Sequence, residues 1–239
     1  MCGRFTQKLT WREIHDLYSS KEPEPPPKVQ ARYNGAPGQD FAACRLDEKG
    51  NRVVGLLRWG LVPYWAKDLG SASRIINARS ETVHQKPSFR AAFRSRRCLV
   101  PADGWFEWKR AGGVKQPYFL RLAGRSPLSF AALWERWEKS GEVLESFTII
   151  TTKASAELVH IHHRQPAILD PNQFDDWLDP ASPTPRLLDL VRSSHAGPFE
   201  QRVVSARVNS VRNDDPELLR ERRITTDEGA HGRELGIRN

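Results

Sequence analysis

The residue best equipped for chemistry in this 239-residue chain is Cys2, directly behind the initiator methionine. A side chain this small permits trimming of that methionine, which would leave a free 1,2-aminothiol. The α-amine of such a residue titrates near about 7.7–8.0 and the thiol near about 8.5, so both hold a reactive unprotonated fraction at neutral pH. The amine can condense with an aldehyde to a Schiff base. The thiol of the same residue can then close on the imine carbon to a five-membered thiazolidine, at small entropic cost because the closure is intramolecular. No internal cysteine can do this, since its nitrogen is an amide. The competing reading is a chance cysteine on a frayed terminus, but Phe5 would serve such a terminus no purpose, whereas it could anchor a seated one. The chemistry requires an exposed nitrogen beside the sulfur.

Such a nucleophile needs an acid or base. Glu107 lies in PADGWFEWKR (residues 101–110) near the end of an aromatic strand, with Trp105 on its own face and Phe106 and Trp108 on the other. An aromatic neighbour can desolvate a carboxylate and raise its pKa towards that of a general acid, unless the face is outward and solvated. His160, His162 and His163 lie in ELVHIHHRQPAIL, where an extended chain puts 160 and 162 on one face. No His-x-x-x-His helix or carboxylate pair supports a metal there, so one catalytic imidazole or plain structural contacts are expected, with no metal and no cofactor. His15, on a surface helix, and His231, near the end of the chain, are expected in solvent. Asn77, Arg79 and Glu81 alternate along RIINARSET, compatible with an amide orienting a substrate and an arginine on a phosphate, or with an ordinary surface strand. Trp59, Tyr64, Trp65 and Trp105 fall on or near loops, and an exposed one among them could stack on bases or wedge into a duplex. Cys44 and Cys98, in FAACRL and RRCLVPA, read as core fillers.

Charge points the same way. Lys plus Arg number 37 against 29 Asp plus Glu, and residues 1–110 carry 20 basic and 11 acidic side chains, while the remainder is nearly balanced. Arg outnumbers Lys 27 to 10, and guanidinium groups suit bidentate contact with phosphate. A high-pI protein with no polyanionic partner is the plainer alternative. No stretch approaches the ~20 apolar residues of a membrane span. The amino-terminal segment lacks the apolar run of a secretory signal. Three scattered cysteines suit neither a disulfide framework nor a thiolate zinc site, so a reducing, cytoplasmic location is expected.

The elements that must position these groups are short. Thr10 to Glu13 forms a capping box opening a helix over 11–19. The proline run at 23–27 ends it as a stiff surface crossover. RYNGAPG (32–38) reads as turns, 53–59 as a strand and 60–76 as a long irregular loop. A short basic helix follows Pro87, with Phe89 and Phe93 on one face. Strands are expected at 97–100, 105–109, 118–122, 128–133, 147–151 and 201–205, with Gly112-Gly113 as a hairpin turn. Asp170-Pro171 and Thr184-Pro185 open helices over 171–178 and 185–193. The fold class is α+β: a single domain over residues 1–219 with an antiparallel, partly barrel-like β core flanked by short helices, and a flexible tail over 220–239.

Six blocks carry a resemblance: MCGRF at 1–5, RYNGAPG at 32–38, WGLVPYW at 59–65, INARSET at 76–82, PADGWFEW at 101–108 and IHHRQPAIL at 161–169. Together and in this order they resemble the SOS-response-associated peptidase (SRAP) family of abasic-site processing proteins, over residues 1 to about 215. The resemblance implies that a mature Cys2 crosslinks to the aldehyde of an abasic site in single-stranded DNA and closes a thiazolidine. It implies Glu107 as the acid/base for sugar-ring opening and for self-removal of Met1, His162 as the group assisting the opening ring, and Asn77 as the amide orienting cysteine and sugar. Arg4 and Arg79 would hold flanking phosphates, Asn34 and Thr151 would be further pocket residues, and Pro37 and Trp65 would lie on DNA-contacting loops. It also implies a monomer acting on single strands or strand junctions, nucleoid-associated in a bacterium, with crosslink reversal as a further activity. Two rivals remain in view: an N-terminal-cysteine glutamine amidohydrolase, which shares only Met-Cys-Gly, and a non-enzymatic basic module that binds single-stranded DNA.

Overall fold

The computed structural model describes residues 2–20, 29–69, 75–124, 127–193 and 197–222. The proline run at 23–27, part of the 60–76 loop, His231 and the tail beyond residue 222 lie outside the described residues. The architecture is α+β, a closed β-barrel flanked by short helices. Its hub is a long hairpin, β9 (Leu128–Lys139) and β10 (Glu142–Lys153), turned by Ser140 and Gly141 at φ 53° and 81°. Paired positive φ values match the right-handed twist of the flanking strands, hence the glycine. From β10 the sheet runs through β4 (Arg52–Trp59), β3 (Asp40–Leu46) and β6 (Arg97–Ala102) to β9, and the β9–β10 pairing closes the ring. Most pairings are antiparallel, but β10 runs parallel to β4 and to the three-residue strand β5 (Asn77–Arg79). β11 (Arg164–Pro166) joins the other end of β10.

A second sheet has the order β12 (Phe199–Val203), β8 (Val114–Leu122), β7 (Gly104–Ala111), β1 (Arg4–Gln7), β2 (Arg32–Gly35). Trp105 faces the barrel core with Phe5, Trp59 and Phe130, whereas Phe106 packs in a separate cluster with Phe119 and Val208. The alternation expected along this strand is therefore present, and both of its faces are covered. Cys44 and Cys98 are buried in the apolar interior, as expected.

The helices seal the outer barrel wall. α1 (Trp11–Tyr18) has the capping box at Thr10 and Glu13. α2 (Arg90–Ser95) buries Phe93 and is preceded by buried Phe89. After Asp170 a 3-10 turn leads into α3 (Phe174–Leu178). α4 (Thr184–Arg192) is capped by Pro183, one residue earlier than the sequence suggested.

Several expectations are corrected. The first four residues of RYNGAPG form a strand rather than a turn, because β1 pairs with them. The strands at β9 and β10 are about twice the expected length, since their distal halves carry charged residues that pair across the hairpin. The last strand begins at Phe199 and ends at Val203. His15 is buried, not solvated: its Nδ1 lies 2.8 Å from Ser20 Oγ and its ring lies 5.0 Å from that of Trp11.

β1 is the element that matters most for position. It lies between β2 and β7, with Arg4 opposite Phe106, Phe5 opposite Trp105 and Thr6 opposite Gly104. A Cβ on Gly104 would stand 2.5 Å from the Leu120 carbonyl oxygen and 2.5 Å from the Phe119 ring. Backbone cannot yield cheaply, so Gly104→Ala is expected to cost about 1–3 kcal/mol of stability. Thermal unfolding of the variant measures this; an unchanged Tm would contradict the close approach.

Candidate active site

A cleft of about 580 Å³ opens on the second sheet. The β7–β8 hairpin supplies Glu107, Trp108, Arg110 and Lys115 to its wall. Gly112 and Gly113, with φ 57° and 80°, make the expected hairpin turn and bring Arg110 opposite Lys115. β5 contributes Arg79, and the turn before β11 contributes His162 and His163. Asn209 completes the lining, and its Oδ1 accepts the Trp108 indole N–H at 2.8 Å. The expectation of His160 and His162 on one face of a strand fails, because residues 156–161 are turns; His160 is exposed and does not line the cleft.

Glu107 is 3% exposed, so the solvated alternative for its face is excluded. Burial raises its pKa, and the positive charge of the amino terminus, the Trp108 backbone N–H and His163 oppose the shift without cancelling it. His162 Nδ1 lies 3.8 Å from Glu107 Oε2. Burial, with nearby positive charge, lowers the His162 pKa despite the Arg164 carbonyl, which favours the charged ring. The backbone N–H of Arg164 reaches the same Nδ1 at 3.0 Å. An N–H can only donate, so in the neutral ring Nδ1 accepts and Nε2 carries the proton. Burial therefore disfavours the charged form of each group, pushing the carboxyl up and the imidazole down.

Cys2 is buried, not exposed as the chemistry had suggested. The reason is the seating of β1, whose Phe5 is fully enclosed. Extending the β1–β7 register from Arg4 and Phe106 carries the terminus to the level of Glu107 and Trp108. Asn77 Nδ2 donates to the Cys2 carbonyl at 2.8 Å, while Asn77 Oδ1 is buried with no hydrogen-bond partner. Burial, reinforced by the neighbouring Glu107 charge, pushes the Cys2 thiol well above its ordinary pKa, so the sulfur is held protonated. Cys2, Asn77, Glu107 and His162 are thus brought together from β1, β5, β7 and the turn before β11.

The other expected residues divide. Arg79 is exposed at the rim. Thr151 is buried behind it, opposite Arg79 in the β10–β5 register, and its hydroxyl and carbonyl face the Arg164 guanidinium. Arg4 is half-buried and donates to Asn34 Oδ1 at 3.0 Å and to the Val208 carbonyl at 2.8 Å. Asn34 is buried, and its Nδ2 donates to the carbonyls of Val208, Ser210 and Asn213. These two side chains brace the wall segment that carries Asn209. Pro37 is half-buried in a turn and Trp65 is 54% exposed, and neither lines the cleft. Of the four aromatics expected near loops, Tyr64 and Trp65 are exposed, while Trp59 and Trp105 are core.

Sequence reasoning missed the cleft residues Trp108, Arg110, Lys115 and Asn209. The Gly-Gly turn, read as a hairpin, could have placed Arg110 and Lys115 on one rim; nothing local marks Asn209. It also missed the role of Glu81, which holds Arg164 through both carboxylate oxygens and so fixes the backbone N–H that orients His162. Among the described residues no group of three or more His, Cys, Asp or Glu is arranged to hold a metal, and no helix is long and apolar enough to cross a membrane.

Residues 1–211 match the family described as SOS response associated peptidase (SRAP). Abasic site processing protein YoqW of Bacillus subtilis is 39% identical over 222 residues, covering 92% of this chain and 99% of that protein. Abasic site processing protein YedK of Escherichia coli is 32% identical over 225 residues, again covering 92% and 99%. A phage-related protein of Bordetella bronchiseptica, solved by crystallography, aligns with a TM-score of 0.67 at 31% identity over 85% of this chain and 94% of that one.

The raised pKa of Glu107 sets a sign for stability. Between the ordinary carboxylate range and that raised value, the folded protein keeps a proton that the unfolded chain has released, so stability falls as pH rises through the window. Glu107→Gln removes this cost. The Tm of the variant relative to the parent should therefore be more favourable at about pH 8 than at about pH 5. A difference equal at both values, or larger in acid, contradicts a buried, protonated carboxyl.

Proposed function

The chain belongs to the SOS response associated peptidase (SRAP) family, and on that premise we propose that it crosslinks itself to abasic sites in single-stranded DNA through Cys2. The observation that carries this reading is the Asn77 bond to the Cys2 carbonyl, which holds residue 2 beside Glu107 and His162. The relatives named as abasic site processing proteins support the same substrate.

The chemistry follows from the four side chains. Hydrolysis of the Met1–Cys2 bond, with Glu107 as the acid/base, frees the amine. Opening of the closed sugar moves one proton from the C1′ hydroxyl and delivers one to the ring oxygen. Glu107, as carboxylate, accepts the first, and His162, in its imidazolium form, donates the second from Nε2 and is left neutral. The Cys2 amine then adds to the C1′ aldehyde, and the carbinolamine loses water as Glu107 returns its proton to the departing hydroxyl. The thiol adds across the resulting C=N bond: an S–C1′ bond forms, and the sulfur's proton passes to nitrogen. Water is the only product lost. A buried, protonated thiol fits this order, with the amine acting first. Asn77 orients residue 2, with Oδ1 available to the sugar. Arg79, with Arg110 and Lys115 beside it, is suited to the flanking phosphates. Arg4, Asn34 and Thr151 act by bracing the walls, and exposed Trp65 and the Pro37 turn are suited to meet DNA beyond the cleft, at single strands or strand junctions. The protein acts as a monomer, and Glu107 also serves crosslink reversal.

Intact-protein mass spectrometry with an abasic oligonucleotide tests the proposal. The expected adduct has the mass of the chain without Met1 plus the oligonucleotide minus one water. Cys2→Ala should give none while keeping weak, salt-sensitive binding. Cys2→Ser should give only an imine that borohydride traps. Glu107→Gln should slow adduct formation by about a hundredfold. No adduct under any condition, or glutamine hydrolysis instead, would overturn the reading.

A further inference from the structure

Over much of the surface the arginines are neutralised. Arg45 is paired with Glu145, Arg52 with Asp175, Arg121 with Glu200 and Arg186 with Asp176. Lys86, Arg90 and Arg94, like Arg12, Arg192 and Arg212, carry no such partner among the described residues. The first three are exposed, and none of them has a hydrogen bond or ion pair to a side chain among the described residues. They stand at i, i+4 and i+8. The backbone between them is helical or turned: Arg90 N–H donates to the Lys86 carbonyl, and Phe93 N–H to that of Phe89. Buried Phe89 and Phe93 fix the opposite side of this segment against the core. The result is a ridge of three unpaired cations with a fixed outward direction.

The ridge is continuous with surfaces already described. At one end, hydrogen-bonded turns connect Lys86 back to Arg79 at the cleft rim, through Lys86 N–H to the Thr82 carbonyl and Val83 N–H to the Arg79 carbonyl. At the other end, Arg96 lies over the Tyr64 ring at 6.0 Å, next to exposed Trp65. Three unpaired cations strung between the cleft and an exposed aromatic pair complement a polyanion running along the protein. They do not suit a small anion, since all three are exposed and none lines the cleft.

We propose that Lys86, Arg90 and Arg94 form a second nucleic-acid contact, which grips the phosphates of the DNA flanking the lesion outside the cleft. The proposal rests on the crosslinking reading for the DNA's position but not for the ridge's binding chemistry. The ridge engages roughly three phosphates, adds no sequence preference and acts on capture rather than on bond making.

The test compares the full chain with its Lys86→Gln/Arg90→Gln/Arg94→Gln variant on abasic oligonucleotides of about 5 and about 20 nucleotides, at sub-saturating DNA. On the short substrate the two should form adduct at equal rates. On the long one the variant should be slower by on the order of tenfold, and its salt dependence shallower by about 2 in log–log slope. Equal rates on both lengths with an unchanged slope overturn the proposal. Should the parent form no adduct, the crosslinking reading fails, and the ridge is judged by the same slope on lesion-free ~20-nucleotide DNA. Should the triple variant melt early, Arg90→Gln alone should lower the slope by about 0.7; no change in it counts against the ridge.

Discussion

The site exists because four residues, Arg4–Gln7, complete a sheet. β1 has few local reasons to be a strand, yet it is held between β2 and β7 by pairing on both edges. Phe5 is the fastener. Its ring meets Phe41 at 4.5 Å, Trp59 at 5.0 Å and Phe130 at 5.9 Å, and none of it is exposed. Full burial of such a side chain stabilises the fold by about 1.5–3 kcal/mol before ring–ring terms are added. That is ample to hold a short terminal strand that would otherwise fray. With Phe5 in place, extending the register brings residue 2 to the level of Trp108, next to Glu107.

Around that terminus the fold spends stability on polar burial. Burial shifts both Glu107 and His162 towards their neutral forms. Neither shift would occur at a surface pair, where water screens both charges. The enclosing walls are held by interactions of a different kind. Arg164 is tied to Glu81 and to Thr151, which joins the turn after β5 to the start of β11. Arg4 and Asn34 tie β1 and β2 to carbonyls of the segment around residues 208–213. Charged and amide groups with several donors suit this task, because each fixes several backbone oxygens of an irregular segment at once.

What could be read from the sequence follows the range of the interaction responsible. The Thr10–Glu13 capping box, the Phe89/Phe93 pair and the Gly112-Gly113 turn are local, and all three stand as read. Strand alternation is local too, so Glu107 could be placed on the face of Trp105, but alternation leaves open whether that face is buried. Strands β1, β2 and β11 were not legible, since each is three or four residues long and is stabilised by partners far along the chain. His15 was misread for a related reason. It continues the buried face of α1 formed by Trp11, Ile14 and Tyr18, but a polar side chain at such a position looks like solvent until Ser20 is seen to meet its Nδ1. Trp59 and Trp105, placed near loops by sequence, are core because the strands carrying them close the barrel. The family resemblance supplied the grouping of Cys2, Asn77, Glu107 and His162, which no spacing along the chain implies. It could not supply their burial.

Burial changes what the site means. In the chain as translated, the Cys2 nitrogen is an amide and its sulfur is held protonated in an apolar setting, so neither half of an aminothiol is available. The groups that hold residue 2 are nevertheless in place. Asn77 binds the carbonyl of Cys2 rather than its nitrogen, and the β1 pairing begins at Arg4. Both lie on the carboxyl side of the bond that ties residue 2 to Met1, and cleavage there would disturb neither. The same cut would move the amino-terminal cation from Met1 onto Cys2, the residue held beside Glu107, where a positive charge favours the ionised carboxylate. A single peptide bond therefore separates an inert, fully assembled scaffold from one carrying a nucleophile, with no rearrangement of the strands required.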